Sequence, residues 1–170
     1  MNTFMITAVI EGFDLGSAEQ SAHLDGLGYA AVVGSTSHVM TVDASINSES
    51  PIDAFHHLAA DMNTIGVHIL RIDPDLVNVS EIALRLDVNR ETVRLWARGR
   101  RRGGFPPHFS DVGDSQIWRW VEVYEWAASH LLAVDDEERP LPADVVDMLN
   151  GDLAHERSGR SVSARDNILA

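Results

Sequence analysis

Seven arginines fall between Arg85 and Arg102 of a 170-residue chain whose formal net charge is -13. A guanidinium is always charged and carries five donors in a planar fork. A run of them in an acidic protein is chemistry for a polyanion, whose phosphates attract arginine and release counterions on binding. Between Asn89 and Gly99, Val93 and Trp96 fall on one side of a helical pattern, while Arg90, Glu91, Arg94 and Arg98 lie mostly on the other. A helix with an apolar back and a guanidinium-bearing front can enter the major groove of DNA, where arginine pairs with guanine through two hydrogen bonds. Arg94 and Arg98 are the candidates for base contact, and Arg90, Arg100, Arg101 and Arg102 for phosphate. Thr92 can add a hydroxyl contact, and Glu91 completes the candidate set.

Those side chains need a frame. Asn78 and Glu81 form an N-x-x-E capping box that starts a first helix, and Ile82, Ala83 and Leu86 give it an apolar stripe. Asp87-Val88-Asn89 is the turn, with Val88 facing inward. Asn89 caps a second helix, Arg90 to about Arg98, and Gly99 ends it. Gly103-Gly104-Phe105-Pro106-Pro107 then leads into an extended stretch, Gly113-Asp114 turns a hairpin, and Gln116 to Arg119 is the return strand. A third helix is expected from about Trp120 to Leu132, apolar nearly all round. The spacing of Trp96, Trp118, Trp120 and Trp126 fits core positions of a small three-helix unit better than a base-stacking platform.

The series SEIA from Ser80, VNRETVRLW from Val88, G-x-F-P from Gly103 and W-R-x-x-x-V-x-x-W from Trp118 resembles the winged helix-turn-helix of the MerR superfamily, closest to its AlpA/excisionase-like branch. The resemblance covers about residues 76–128 and implies double-stranded DNA as the partner. Two departures stand out. The GRRRGG before Phe105 makes the wing base longer and more basic, and the wing tip from Ser110 to Ser115 is polar with two aspartates.

Charge divides the chain. Residues 1 to 70 hold eight acids and no arginine or lysine; residues 71 to 134 hold nine acids and nine arginines; residues 135 to 170 hold nine acids and four arginines. The acidic first segment is repelled by phosphate and has another task. Its pattern gives a strand at Phe4–Ile10, a helix at Ser17–Leu27 stopped by Gly28, and a strand at Ala30–Val33. A turn at Gly34–Ser37, a strand at His38–Ala44, a helix from Pro51 to about Met62 and a strand at Gly66–Ile72 follow. This βαββαβ order resembles the ferredoxin-like fold, with an antiparallel sheet, helices on one face and a second face in need of cover. Pairing with a second copy, or with the apolar third helix of the winged domain, would supply that cover, and Val39, Val42, Val67 and Ile69 supply apolar residues.

The composition excludes several classes. There is no cysteine, hence no disulfide, thiolate metal site or cysteine nucleophile. His23, His38, His56, His57 and His68 lack ligand spacing, so no metal or other cofactor is expected. No nucleophile motif or glycine-rich phosphate loop is present, so no enzyme is expected. No apolar stretch approaches membrane length and no basic leader opens the chain, which predicts a cytoplasmic, nucleoid-associated protein. Asp135 to Pro142 reads as an acidic linker, Ala143 to about His155 as a short helix able to dock or to bind a protein partner, and residues 157–170 as disordered.

The expected architecture is therefore α+β: a ferredoxin-like dimerisation or sensor domain at 1–74, a winged helix-turn-helix at 75–134, and an acidic, partly disordered tail at 135–170. The expected function is sequence-specific binding of double-stranded DNA by a homodimeric transcriptional regulator. Two alternatives remain open. One is an excisionase-like or architectural protein that bends DNA on repeated sites. The other is a ligand- or protein-sensing module with DNA binding as its output.

Overall fold

A computed structural model describes residues 1–132, 134 and 138–168, with side chains described as far as residue 159. Asp135, Asp136 and Glu137 of the expected linker lie outside the described residues. The class is mixed α+β. The chain forms two compact units: Met1–Asp73 together with Asp144–Ala170, and Pro74–Ala143.

The first unit runs β1 (Asn2–Glu11), α1 (Ala18–Asp25), β2 (Ala30–Thr36), β3 (Val39–Ser48), α2 (Pro51–Thr64) and β4 (His68–Ile72). Its strands lie in the order β2-β3-β1-β4, each antiparallel to its neighbour. Period-two alternation gives β1 a buried face of Phe4, Ile6, Ala8 and Ile10. Phe4, Ile6 and Ala8 stand opposite Ile46, Ala44 and Val42 of β3. Ala54, Phe55, Leu58 and Met62 of α2 are buried too, and α2 packs on β1, β3 and β4. Ser50 accepts from the N–H groups of Ile52 and Asp53, and Pro51 at the first helical position loses no bond.

The opposite sheet face departs from expectation. It is largely polar rather than bare and apolar. Thr3 donates to Asn47 and Thr7 to Asp43, both at 2.6 Å. The cause is the register, which sets Thr3, Met5 and Thr7 opposite Asn47, Ser45 and Asp43. The first hairpin also differs. Gly34 lies within β2 opposite Thr41, and the turn is Ser37-His38, with φ of 50° and 69°. Two residues at positive φ match the twist of a hairpin, which here outweighs the preference of glycine for that backbone. Helix α1 ends at Gly26 rather than Gly28. Gly12, at φ 88°, is held to glycine by space as well, since a Cβ there would meet Gly66 O at 2.6 Å.

The C-terminal segment also differs. Helix α6 runs Ala143–Ile168, well past the His155 expected for its end, so residues 157–168 of the segment expected to be disordered are helix, and Leu169 and Ala170 lie outside the described residues. Asn150 accepts from Ile72 N–H at 2.7 Å and donates to Ile72 O at 3.0 Å, while Arg157 donates to Leu70 O. Val146, Leu149 and Leu153 are buried. These contacts hold α6 along β4 in the first unit, an interaction between distant parts of the chain that local pattern does not register.

The second unit runs β5 (Leu76–Asn78), α3 (Val79–Arg85), α4 (Arg90–Ala97), β6 (Ser110–Val112), β7 (Ser115–Arg119), α5 (Trp120–Ser129) and a three-residue strand β8 (Glu138–Pro140). Strands β5, β7 and β6 form a sheet in that order. The core gathers Val77, Ile82, Ala83, Leu86, Val93, Trp96, Trp118, Val123, Trp126 and Ala127. Strand β5 was not expected. It exists because its three residues pair with Ile117, Trp118 and Arg119. Helix α5 stops three residues early, at Ser129, and Leu131 stands 94% exposed at φ 55°.

Candidate nucleic-acid interface

The front of α4 is positioned by caps at each end of the two-helix segment. Asn78 Oδ1 accepts from Ser80 and Glu81 N–H at 2.8 and 3.1 Å, and Glu81 Oε2 accepts from Asn78 N–H at 2.8 Å. The inter-helix turn places Asp87 at φ 50°, a conformation that aspartate tolerates better than most residues. Asn89 Oδ1 accepts from Thr92 N–H at 2.8 Å and Thr92 Oγ1 at 2.9 Å. At the far end Gly99, at φ 67°, donates to Trp96 O, and Arg100 N–H donates to Leu95 O, both at 2.9 Å. This pair of hydrogen bonds is the Schellman close, and it fixes where the chain leaves the helix.

Between the caps, Val93 and Trp96 are buried, while Arg90, Glu91, Arg94, Ala97 and Arg98 are exposed. Arg94 Nη1 stands 3.6 Å from Glu91 Oε2. Thr92 is half-buried and its hydroxyl proton is committed to Asn89, so only its lone pairs remain for a contact outside the helix. Arg94 and Arg98 line one cleft of about 350 Å³ with Asn78, Ser80, Asp114 and Gln116. The β6–β7 turn therefore forms a wall of the same cleft, with Gly113 at φ 58° turning it. Arg90, Glu91, Arg100, Arg101 and Arg102 do not line this cleft.

The remaining arginines separate by partner. Arg85 is bidentate to Asp75 at 2.6 and 2.9 Å and lies 4.8 Å from the Trp120 ring centroid. It is a clamp within the unit. Arg102, at φ 48°, donates to His130 O at 2.9 Å and closes the end of α5. Arg100 and Arg101 are exposed. The sequence pattern grouped Arg100, Arg101 and Arg102 as one basic run, whereas Arg102, though exposed, is tied to the carbonyl of His130.

An aromatic box holds the wing base. Phe105 lies 4.8, 5.9 and 6.2 Å from the rings of Trp126, Trp118 and Trp96. Trp118 Nε1 donates to Pro106 O at 3.0 Å and Trp126 Nε1 to Gly103 O at 3.1 Å. Three of the four tryptophans are thus core residues, and two use their N–H groups to tie down the Gly103–Pro106 loop. On the wing, His108 stands 3.2 Å from Asp111, and the Arg119 guanidinium lies 4.4 Å from the Phe109 ring.

No protein-family model, curated protein or solved structure matches this chain. The function must then be argued from geometry. In the first unit, among the described residues, no group of three or more histidines and acids is placed to hold a metal ion. Tyr29 donates to Asp61 at 2.8 Å, and burial, followed by that carboxylate, holds its phenol well above the ordinary tyrosine range. A second cleft, about 460 Å³, lies between α2, β4 and α6, bordered by Phe55, His56, His68, Leu153, His155 and Glu156. No described helix is long and apolar enough to cross a membrane.

Two features escaped the sequence reading. Asp114 and Gln116 share the Arg94–Arg98 cleft, although they read only as a hairpin-turn residue and the first residue of the return strand. The Asp75–Arg85–Trp120 clamp gave no local signal, since its members are ten and 35 residues apart in sequence.

Proposed function

We propose that the second unit reads a specific sequence in double-stranded DNA, as a winged helix-turn-helix of the MerR/AlpA-excisionase kind. The observation that carries this reading is the front of α4. Its arginines are exposed, its back is fixed in an aromatic core, and Arg94 and Arg98 open into a cleft walled by the β6–β7 turn. Such a helix end fits a major groove, with the adjoining hairpin against the neighbouring backbone. Arg94 and Arg98 would meet guanine edges; Arg90, Arg100 and Arg101 would meet phosphates. Arg102 would add charge while holding α5.

We read the first unit, with its antiparallel strand order β2-β3-β1-β4, as a ferredoxin-like domain, and assign it the role of joining two copies. The whole would be a dimeric transcriptional regulator acting in the cytoplasm on the nucleoid. An excisionase-like role predicts direct repeats in the bound DNA, whereas a dimeric regulator predicts two half-sites. A sensing role has its own support in the α2–β4–α6 cleft, where imidazoles and carboxylates face apolar side chains. No catalytic step is proposed.

The test is selection of bound duplexes from a random pool by the purified full-length chain. Enrichment of one motif, present as two half-sites, supports the reading. Absence of binding to any duplex at low salt overturns it.

A further inference from the structure

The two edges of the first sheet are treated differently. Along β4, Asn150 bonds both polar groups of Ile72, and Arg157 takes Leu70 O. Side chains of α6 thus stand where another strand would pair. Along β2 nothing comparable exists. Among the described residues, no strand other than β3 and no side chain hydrogen-bonds to Ala30–Thr36. An uncovered edge of seven residues is a template for another chain.

The side of the unit that carries this edge is also underpacked. No residue from Glu11 to Thr41 is buried, so α1 and β2 contribute none to the core. Val32 is 65% exposed. His23 Nε2 is enclosed without a hydrogen-bond partner among the described residues. A folded unit in which a whole helix and strand place no residue in the buried core has a surface to cover.

Charge selects the occupant. Residues 1–70 carry eight acids and no arginine or lysine, yet residues 26–42 carry no acid at all. A second copy of this unit meets like charge over most of its surface and none along β2. DNA is excluded by the acids elsewhere and by the lack of any cation here. Strand β2 also has the composition of a self-pairing segment: alanine, valine, glycine, serine and threonine, without charge or proline.

We infer that β2 is the homodimerisation edge of this protein. The β2 strands of two copies pair antiparallel about a two-fold axis and join the two sheets into one. An isologous contact of this kind closes on itself and stops at the dimer. Helix α1, which packs on β2, then lies beside its symmetry mate and gains the cover it lacks. The inference specifies the coupling surface within the function proposed above, but its test needs no DNA.

The test uses the full chain and its lack of cysteine. Light scattering of the unmodified chain gives a dimer mass. Val32→Lys, a charge of the kind that blunts natural edges, halves that mass with an unchanged circular dichroism spectrum. Lysine there stands opposite Asp43 on β3, which keeps the single-chain sheet intact. Val32→Cys, Val33→Cys and Gly34→Cys are then made singly, each creating the only thiol of the chain. Mild oxidation crosslinks at least one of them, while Met5→Cys, exposed on the polar sheet face, yields no crosslink. A monomeric parent chain overturns the inference. So does a folded Val32→Lys that stays dimeric, or a crosslink at Met5→Cys with none along β2. If Val32→Lys fails to fold, the crosslinks decide. A dimer that crosslinks through β2 but binds no DNA keeps this inference and removes the DNA reading.

Discussion

Removal of Arg94 separates base reading from simple attraction to phosphate. Among the described residues its guanidinium has one charged partner, Glu91, at 3.6 Å on the exposed face of α4. An exposed pair of this type contributes about 0.2–1 kcal/mol. A bidentate contact to guanine contributes about 1–3 kcal/mol of discrimination. The proposed base contact would outweigh the pair, so Arg94 would leave Glu91 for DNA without net loss. Arg94→Ala should therefore weaken binding to the selected duplex by roughly 5- to 140-fold, since about 1.4 kcal/mol is tenfold. On a scrambled duplex of equal length the loss should be several times smaller. The assay is fluorescence anisotropy on both duplexes at one salt concentration. Glu91→Gln completes the experiment, because Glu91 can either hold Arg94 or accept from cytosine N4. Its carboxylate stands nearest Arg94, so the expected result is an unchanged ratio between the two duplexes. Equal losses for Arg94→Ala on both duplexes would refute the base contact. No loss on either would remove Arg94 from the interface.

Arg100→Ala with Arg101→Ala should weaken binding to all sequences and flatten the log–log salt dependence by roughly 0.9 for each phosphate left unneutralised, with no change in melting temperature; an unchanged slope would leave these side chains to solvent. Arg102→Ala should instead lower the stability of the second unit by about 0.5–1.5 kcal/mol, the contribution of one hydrogen bond, here the one to His130 O. Asn150→Ala strips Ile72, a residue 1% exposed, of two bonds and should cost about 1–3 kcal/mol in urea unfolding, whereas a loss below about 0.5 kcal/mol would show that water replaces the amide. All thirteen Lys/Arg positions are arginine, so no lysine titrates near pH 10 to mask a tyrosine there. Tyr29 keeps its proton in the folded chain and loses it in the unfolded chain, so stability present below about pH 10 should decline above it, and Tyr29→Phe should remove its share of that decline.

How far the sequence could be read depended on the range of the interaction. Helix ends are decided within four residues, and the Asn78–Glu81 box, the Asn89 cap and the Gly99 close were all legible for that reason. The alternation of Phe4, Ile6 and Ala8 likewise marks a face without knowledge of the partner strand. The turn at Ser37-His38 was misplaced because Gly34-Ser35 looks like better turn chemistry, while the actual position follows from pairing Thr36 with Val39. The polar second face of the sheet was legible in principle, since Asp43, Ser45 and Asn47 alternate with Val42, Ala44 and Ile46; their cross-strand partners were not. Nothing local announces that Asn150 will occupy the backbone of Ile72, 78 residues away. The same limit applies at the candidate site. The arginines were visible, but their division into clamp, cap and free front required Asp75, Glu91 and His130.

That division bears on how an acidic chain would select DNA. At physiological salt, charges are screened over about 8 Å, so phosphate responds to the groups near it and not to a net charge of -13. Near the α4 front, Arg94 is offset by Glu91, and the wing turn adds Asp114. Only Arg90, Arg98, Arg100 and Arg101 are exposed cations of this segment without a protein partner among the described residues. In the proposed complex such a front makes few phosphate contacts, and its affinity for arbitrary duplex is correspondingly low. A correct site gains by drawing Arg94 from Glu91, and an incorrect one leaves that pair closed beside an aspartate. Acidic groups at the interface thus lower the background more than the specific contact, which raises the ratio between them. Affinity given up in this way is recovered if two units act together, because the second contact becomes intramolecular. On the proposed function, the paired acids beside α4 and the uncharged edge on β2 would belong to one design: a reader too weak to hold DNA alone, and a surface able to supply a second copy.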